Sequence, residues 1–201
     1  MIQLVLATRN VHKAREIQRI LGPDFAVRDL RAHPEIPDIP ESGTSFEENA
    51  TLKALAVSKE LPALVIADDS GLEVDALNGA PGIYSARYAG ANATDTDRIS
   101  KLLGELERIG AKEEARRGRF RCVIALARNG NVLGTFEGTV EGRIADEVRG
   151  TSGFGYDPIF IPEGDDRTFG ELPAEAKNAI SHRAKAIRAF AERVRQLQSA
   201  H

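Results

Sequence analysis

A chain of 201 residues with 42% hydrophobic content fits one α/β domain and can bury roughly 70% of the surface its unfolded form exposes, which excludes intrinsic disorder. With 27 Lys and Arg against 30 Asp and Glu the net charge is −3, so no polybasic surface exists to hold duplex nucleic acid or an anionic membrane by counterion release. A single cysteine, Cys122, excludes an internal disulfide framework and a multi-cysteine metal site. It stands beside Val123, Ile124 and Leu126 and reads as a buried structural thiol. Val5-Leu6-Ala7 is too short for a signal h-region, and no run reaches the ~20 apolar residues of a spanning helix. A cytoplasmic protein is expected, with neither nucleic acid nor membrane as its partner.

Residues 2–7 form an apolar run ending at Thr8-Arg9-Asn10, after which Ala14, Ile17, Ile20 and Leu21 recur at helical spacing until Gly22-Pro23. Strand, loop and helix follow from that pattern. Residues 25–30 alternate like a second strand, and Pro34, Pro37 and Pro40 mark an irregular loop that carries Glu41. Ser45 stands three before Glu48 as a capping box, and Phe46, Ala50, Ala54, Val57 and Leu61 line the buried face of a helix stopped by Pro62, with Lys53 off that stripe. Residues 64–67 read as a buried strand, which places Asp68-Asp69-Ser70-Gly71 in a loop at its end. Asn78-Gly79, Pro81-Gly82 and Gly90 make a turn-rich stretch before Thr94-Asp95-Thr96-Asp97 caps a helix through Ile99, Leu102, Leu103 and Leu106. Residues 112–117 read as a solvated connection.

Residues 119–127 and 132–140 flank Asn129-Gly130-Asn131, a hairpin signal. Gly150, Gly153 and Gly155 make a flexible segment leading into Ile159-Phe160-Ile161, and Ser181 can cap a last helix whose Ile187, Phe190, Ala191, Val194 and Leu197 face a core. This order predicts an α/β fold, a mixed β-sheet flanked by helices, with two lobes and an active-site cleft between them inside a single domain spanning residues 1–201.

Several segments carry chemistry. Thr8, Arg9, Asn10 and Lys13 place a hydroxyl, an amide, cations and free N–H groups at a positive helix end, which suits an anion, although helix capping with a solvated Lys13 uses the same residues. Asp68 and Asp69 repel each other unless compensated. A divalent cation such as Mg²⁺ would compensate them, and an Asx-turn is the alternative. Glu41 is by default a surface residue and Lys53 a snorkelling one. Phe154-Gly155-Tyr156-Asp157 combines aromatic faces, a glycine permitting close approach and an acceptor, the parts needed to hold a flat heterocycle, or simply a core Phe in a turn. Ser181-His182-Arg183 offers an imidazole and a guanidinium at a helix start, where capping alone explains Ser181; no zinc pattern accompanies His182.

Taken together, Thr8-Arg9-Asn10-Val11-His12-Lys13, Glu41-Ser42-Gly43-Thr44-Ser45-Phe46 with Glu48-Asn49-Ala50 and Lys53, residues 67–74, residues 79–90, residues 153–160 and Ser181-His182-Arg183 resemble the inosine/xanthosine triphosphate pyrophosphatase family over nearly the whole chain, most distinctively in Ala67-Asp68-Asp69-Ser70-Gly71-Leu72 and Pro81-Gly82-Ile83-Tyr84-Ser85-Ala86-Arg87. The family usually has Gly where this chain has Arg9, and often a small residue at His12. The resemblance implies hydrolysis of ITP, dITP and XTP to the monophosphate and pyrophosphate with Mg²⁺, by a homodimer. It implies Asp69 as proton acceptor and, with Glu41, metal ligand. Thr8, Arg9, Asn10, Val11, His12, Lys13, Lys53 and Ser70 are implied as substrate contacts. Phe154 is implied to stack on the base, with Gly155, Tyr156, Asp157, Lys177, His182 and Arg183 around it. A 6-oxo purine would be welcomed by Lys177 and Arg183, which would leave adenine's amino group facing cations. A related pyrophosphatase for other modified nucleotides would keep the phosphate residues and alter the base edge. A nucleotide-binding regulator without turnover would have no need of Asp69 beside a metal ligand.

Overall fold

The computed structural model describes residues 1–199. Its mixed six-stranded sheet has the order β2-β1-β3-β4-β5-β6. β1 (Ile2–Leu6) runs parallel to β2 (Phe25–Asp29) and β3 (Leu64–Val74). β4 (Arg117–Arg128) and β5 (Asn131–Ile144) are joined by the two-residue turn Asn129-Gly130, whose φ angles of 51° and 73° are the left-handed values that a tight hairpin requires. β6 (Phe160–Pro162) adds antiparallel to β5. An α/β fold with a mixed sheet and flanking helices is thus what the residue pattern produces.

The chain forms two compact units. The first comprises Met1–Asp69, Cys122–Gly138 and the residues from His182 onward. Here α1 (Val11–Leu21) lays Ala14, Ile17 and Leu21 against Leu4, Leu6, Phe25, Ile66 and Cys122, and α5 (His182–Ser199) adds Ile187, Phe190 and Val194. The side chain of Leu197, expected in this core, lies outside the described residues. Gly138 has no room for a side chain, since a Cβ there would fall 2.1 Å from the His182 carbonyl oxygen. This glycine lets the start of α5 approach β5. α2 (Phe46–Glu60) begins at Ser45, whose hydroxyl accepts the Glu48 N–H at 3.1 Å. The Glu48 carboxylate reaches back one residue further than a capping box would, to the Thr44 N–H and hydroxyl.

The second unit, Ser70–Arg121 with Thr139–Ser181, packs Leu72, Val74, Phe120, Phe160 and Phe169 beneath α3 (Asp95–Arg108), which inserts Ile99, Leu102 and Leu106. Thr94 and Asp97 close the N-terminal capping box of α3 as their spacing predicts. Among the described residues no helix is long and apolar enough to cross a membrane.

Two local expectations are corrected, and one further element is found. Asp68-Asp69-Ser70-Gly71 does not form a loop: β3 runs through it without a break. Consecutive strand side chains point to opposite faces, so the two adjacent carboxylates diverge and each meets its own cations. Residues 112–117 are not simply a solvated link, because Arg116 is buried and donates to the carbonyls of Ile144 at 2.9 Å and Ala145 at 2.7 Å. A short helix, α4 (Ala174–Ile180), precedes Ser181 and carries Lys177.

Candidate active site

In the first unit, β1, α1, α2, β3 and α5 bring a group of charged side chains into contact. Lys53 is 8% exposed, not at the surface. Its ammonium lies 2.7 Å from Glu41 Oε1, 2.9 Å from the Asp68 carbonyl oxygen and 3.3 Å from Asp69 Oδ1. Burial lowers the Lys53 pKa, but Asp69 and Glu41 outweigh it and leave the ammonium above its ordinary value. Asp69 is pushed up, first by burial and then by Glu41 and Asp68, against the pull of Lys53 and Lys13. Its Oδ2 is buried with no hydrogen-bond partner.

Asp68 sits on a different set of partners. Its carboxylate meets Lys13 through Oδ1, while Oδ2 accepts Arg183 Nε at 2.8 Å and the Cys122 thiol at 3.1 Å. Burial penalises this charge, yet Arg183 and Lys13 more than offset the penalty and hold Asp68 well below the usual carboxylate range. Cys122, as expected, is a buried structural thiol, its ionisation suppressed by burial and by Asp68. Arg183, expected at the edge of a base, is 2% exposed and bridges Asp68 to Glu16, whose Oε2 lies 2.6 Å from Nη1. Four charges from α1, β3 and α5 are therefore linked in series: Lys13, Asp68, Arg183 and Glu16. No motif in the sequence points to Glu16. The available signal was a carboxylate beside Ile17 on the buried stripe of α1.

The loop after β1 also differs in detail. Asn10 is the N-cap of α1, and its Oδ1 accepts the N–H groups of His12 at 2.9 Å and Lys13 at 3.2 Å, so those donors are already engaged. Arg9 turns to Asp38 at 2.6 Å and to the Ile36 carbonyl. The cation that this end of α1 brings to the carboxylates is Lys13; Val11 and His12 occupy its first turn, and Thr8 accepts the Asn10 N–H at 3.2 Å. Ser70 follows Asp69 in β3, and His182 is buried at the start of α5.

The second unit holds the aromatic segment. Asp157 Oδ2 accepts the Phe154 N–H at 2.8 Å and Lys177 Nζ at 2.7 Å, and that ammonium lies 5.0 Å from the centre of the half-buried Phe154 ring. Gly155, at φ 63°, donates its N–H to Asp95 Oδ2 at 2.7 Å. Tyr156 does not present a free face. Its ring is in the core, and its hydroxyl donates to the Ser85 carbonyl at 3.0 Å because a buried phenol needs an acceptor.

Among the described residues no group of three or more His, Cys, Asp and Glu gathers as a metal cluster. Glu41 and Asp69 nevertheless fit one hard divalent cation. They are oxygen donors on one ammonium, one of them has a buried oxygen lacking a partner, and Mg²⁺ takes few protein ligands because it keeps several waters.

An α/β protein with adjacent strand carboxylates held by lysines, and a separate aromatic turn braced by a lysine, is the class these features define. The chain belongs to the Ham1 family, whose pattern it matches over residues 4–193. It is 50% identical over 188 residues to the dITP/XTP pyrophosphatase of Geobacter sulfurreducens, covering 93% of this chain and 94% of that one. It is 49% identical over 189 residues to the dITP/XTP pyrophosphatase of Bacillus licheniformis, covering 94% and 95%. The solved structure of a HAM1 protein from Coxiella burnetii superposes with a TM-score of 0.86 at 43% identity, over 98% of this chain and 100% of that one.

Proposed function

We propose that this chain hydrolyses the α–β phosphoanhydride of ITP, dITP and XTP, releasing nucleoside monophosphate and pyrophosphate and so removing these nucleotides from the pool. The observation that carries this reading is the Lys53 node: a buried ammonium holding Glu41 and Asp69 together, with one Asp69 oxygen unpartnered. A burial-raised carboxylate is suited to accept the proton of an attacking water. Lys13 and Lys53 supply the concentrated positive charge that a triphosphate demands, and Thr8 and Ser70 are assigned to the substrate on the family resemblance. Glu41 and Asp69 would hold Mg²⁺, which when bound shields the phosphate charge and the departing pyrophosphate.

In the second unit, Phe154 offers a ring face for the base, and Lys177 and Asp157 offer a donor and an acceptor for its edge. His182 is assigned to the base edge on the family resemblance. Arg183 is reassigned: its guanidinium serves the carboxylates of Asp68 and Glu16. Selectivity for a 6-oxo purine then falls to Lys177, which donates and never accepts. On the same resemblance the protein works in the cytoplasm as a homodimer.

A panel of ITP, dITP, XTP, GTP and ATP with Mg²⁺ and pyrophosphate detection tests this. Pyrophosphate should appear from the first three, and far more slowly from ATP. Binding of ITP with no pyrophosphate from any member would make the protein a nucleotide-binding regulator.

A further inference from the structure

Glu41 follows the proline-rich stretch Pro34, Pro37 and Pro40, in a segment with no helix or strand of its own. What fixes it is α2. Lys53 takes its carboxylate at 2.7 Å, and one turn earlier on the same helix face Asn49 takes the backbone, with Oδ1 accepting the Gly43 N–H at 2.8 Å. Glu48 adds the Thr44 N–H at 2.6 Å and the Thr44 hydroxyl at 2.8 Å. Gly43 is a glycine for space and not for backbone freedom: its φ is not positive, but a Cβ would fall 2.7 Å from Glu48 Cβ and 2.8 Å from Asn49 Oδ1. Asn49 is 0% exposed, and its Nδ2 has no hydrogen-bond partner. An interior position that leaves an amide donor unmet favours an aliphatic residue unless the other half of the amide is needed. Here the needed half is the acceptor for Gly43.

We propose that Asn49 is a positioning residue for Glu41. Its side chain, with Gly43 packed flush against it, holds the 41–45 segment on α2 so that the Glu41 carboxylate is in place before a divalent cation arrives. The inference rests on Glu41 as a metal ligand and names what organises that ligand. A carboxylate on an unpinned loop must be ordered at the moment of binding, and the ordering cost weakens affinity. Neither Asn49 nor Gly43 is assigned a contact with substrate.

The test uses the full chain without nucleotide and Mn²⁺ alone as the probe, with its affinity read by electron paramagnetic resonance. Exchange of the Gly43 and Thr44 amides is followed by NMR. Asn49→Leu and Gly43→Ala should each weaken Mn²⁺ binding about tenfold and speed exchange at Gly43, while the amides of Ala54 and Val57 stay protected. Glu41→Gln should weaken Mn²⁺ as much yet leave Gly43 exchange slow, a split that a general loss of structure would not give. Mn²⁺ affinity within threefold of the parent in Gly43→Ala, with Glu41→Gln strongly impaired, would overturn the positioning role and leave Glu41 as a ligand. An unimpaired Glu41→Gln would remove the metal assignment and this inference with it. Should Asn49→Leu not fold, Gly43→Ala on the partly exposed loop decides the question.

Discussion

Asp68 and Asp69 are neighbours of the same residue type whose surroundings assign them different work. Asp68 meets Lys13, Arg183 and Cys122, which hold it ionised; Asp69 keeps an unmet oxygen and an elevated pKa, and on these grounds the proposed proton acceptor is Asp69. The sequence showed an Asp-Asp pair needing compensation. It could not separate the two members, because Arg183 lies 115 positions from Asp68 and only the fold brings them together. A prediction follows for acid stability. The folded pKa of Asp68 is depressed, so its contribution is present above the ordinary carboxylate range and is lost as pH falls toward the folded value. Asp68→Asn should therefore lower Tm at neutral pH and flatten the decline of Tm on acidification. A decline as steep as the parent's would place the acid-sensitive group elsewhere. Arg183→Ala should cost about 3–5 kcal/mol of stability by denaturant titration, since it strands Asp68 and Glu16 as buried unpaired charges. A loss below about 1 kcal/mol with altered base preference would return Arg183 to the base edge.

At the scale of elements, long periodic segments were legible and short ones were not. The stripes of α1, α2 and α3, the Ser45 and Thr94 caps and the Asn129-Gly130 turn all carry local signals, and each forms where those signals place it. Two adjacent carboxylates look like a strand end, so the residue pattern alone stops β3 at Ala67; the cations that permit them in a strand come from α1, α2 and α5. α4 spans only Ala174–Ile180, too short for a helical period to declare itself. Its Lys177 reaches Asp157, which in turn holds the Phe154 N–H, so the helix braces the aromatic turn. Phe154→Ala should weaken all purine triphosphates together by about 1–3 kcal/mol in kcat/KM, because a ring face does not distinguish exocyclic groups. Lys177→Met should lower the ITP to ATP ratio of kcat/KM. A ratio unchanged in Lys177→Met but shifted in Phe154→Ala would reverse the two roles.

For the whole molecule, a net charge of −3 and an anionic substrate coexist because the positive charge is local. Lys13 and Lys53 stand among buried carboxylates, where low dielectric strengthens each interaction, and the rest of the surface is free to be acidic. The proposed reaction asks the protein mainly to hold groups in place around a phosphoanhydride, and the proton acceptor proposed for it is Asp69. The most direct test is ³¹P NMR of ITP with Mg²⁺, run in parallel on the parent chain and on Asp69→Asn. The parent should give inosine monophosphate and pyrophosphate in equal amounts, and the variant, folded by circular dichroism, should do so about 10²–10⁴-fold more slowly. Inosine diphosphate with orthophosphate as first products, or a variant as fast as its parent, would contradict the account.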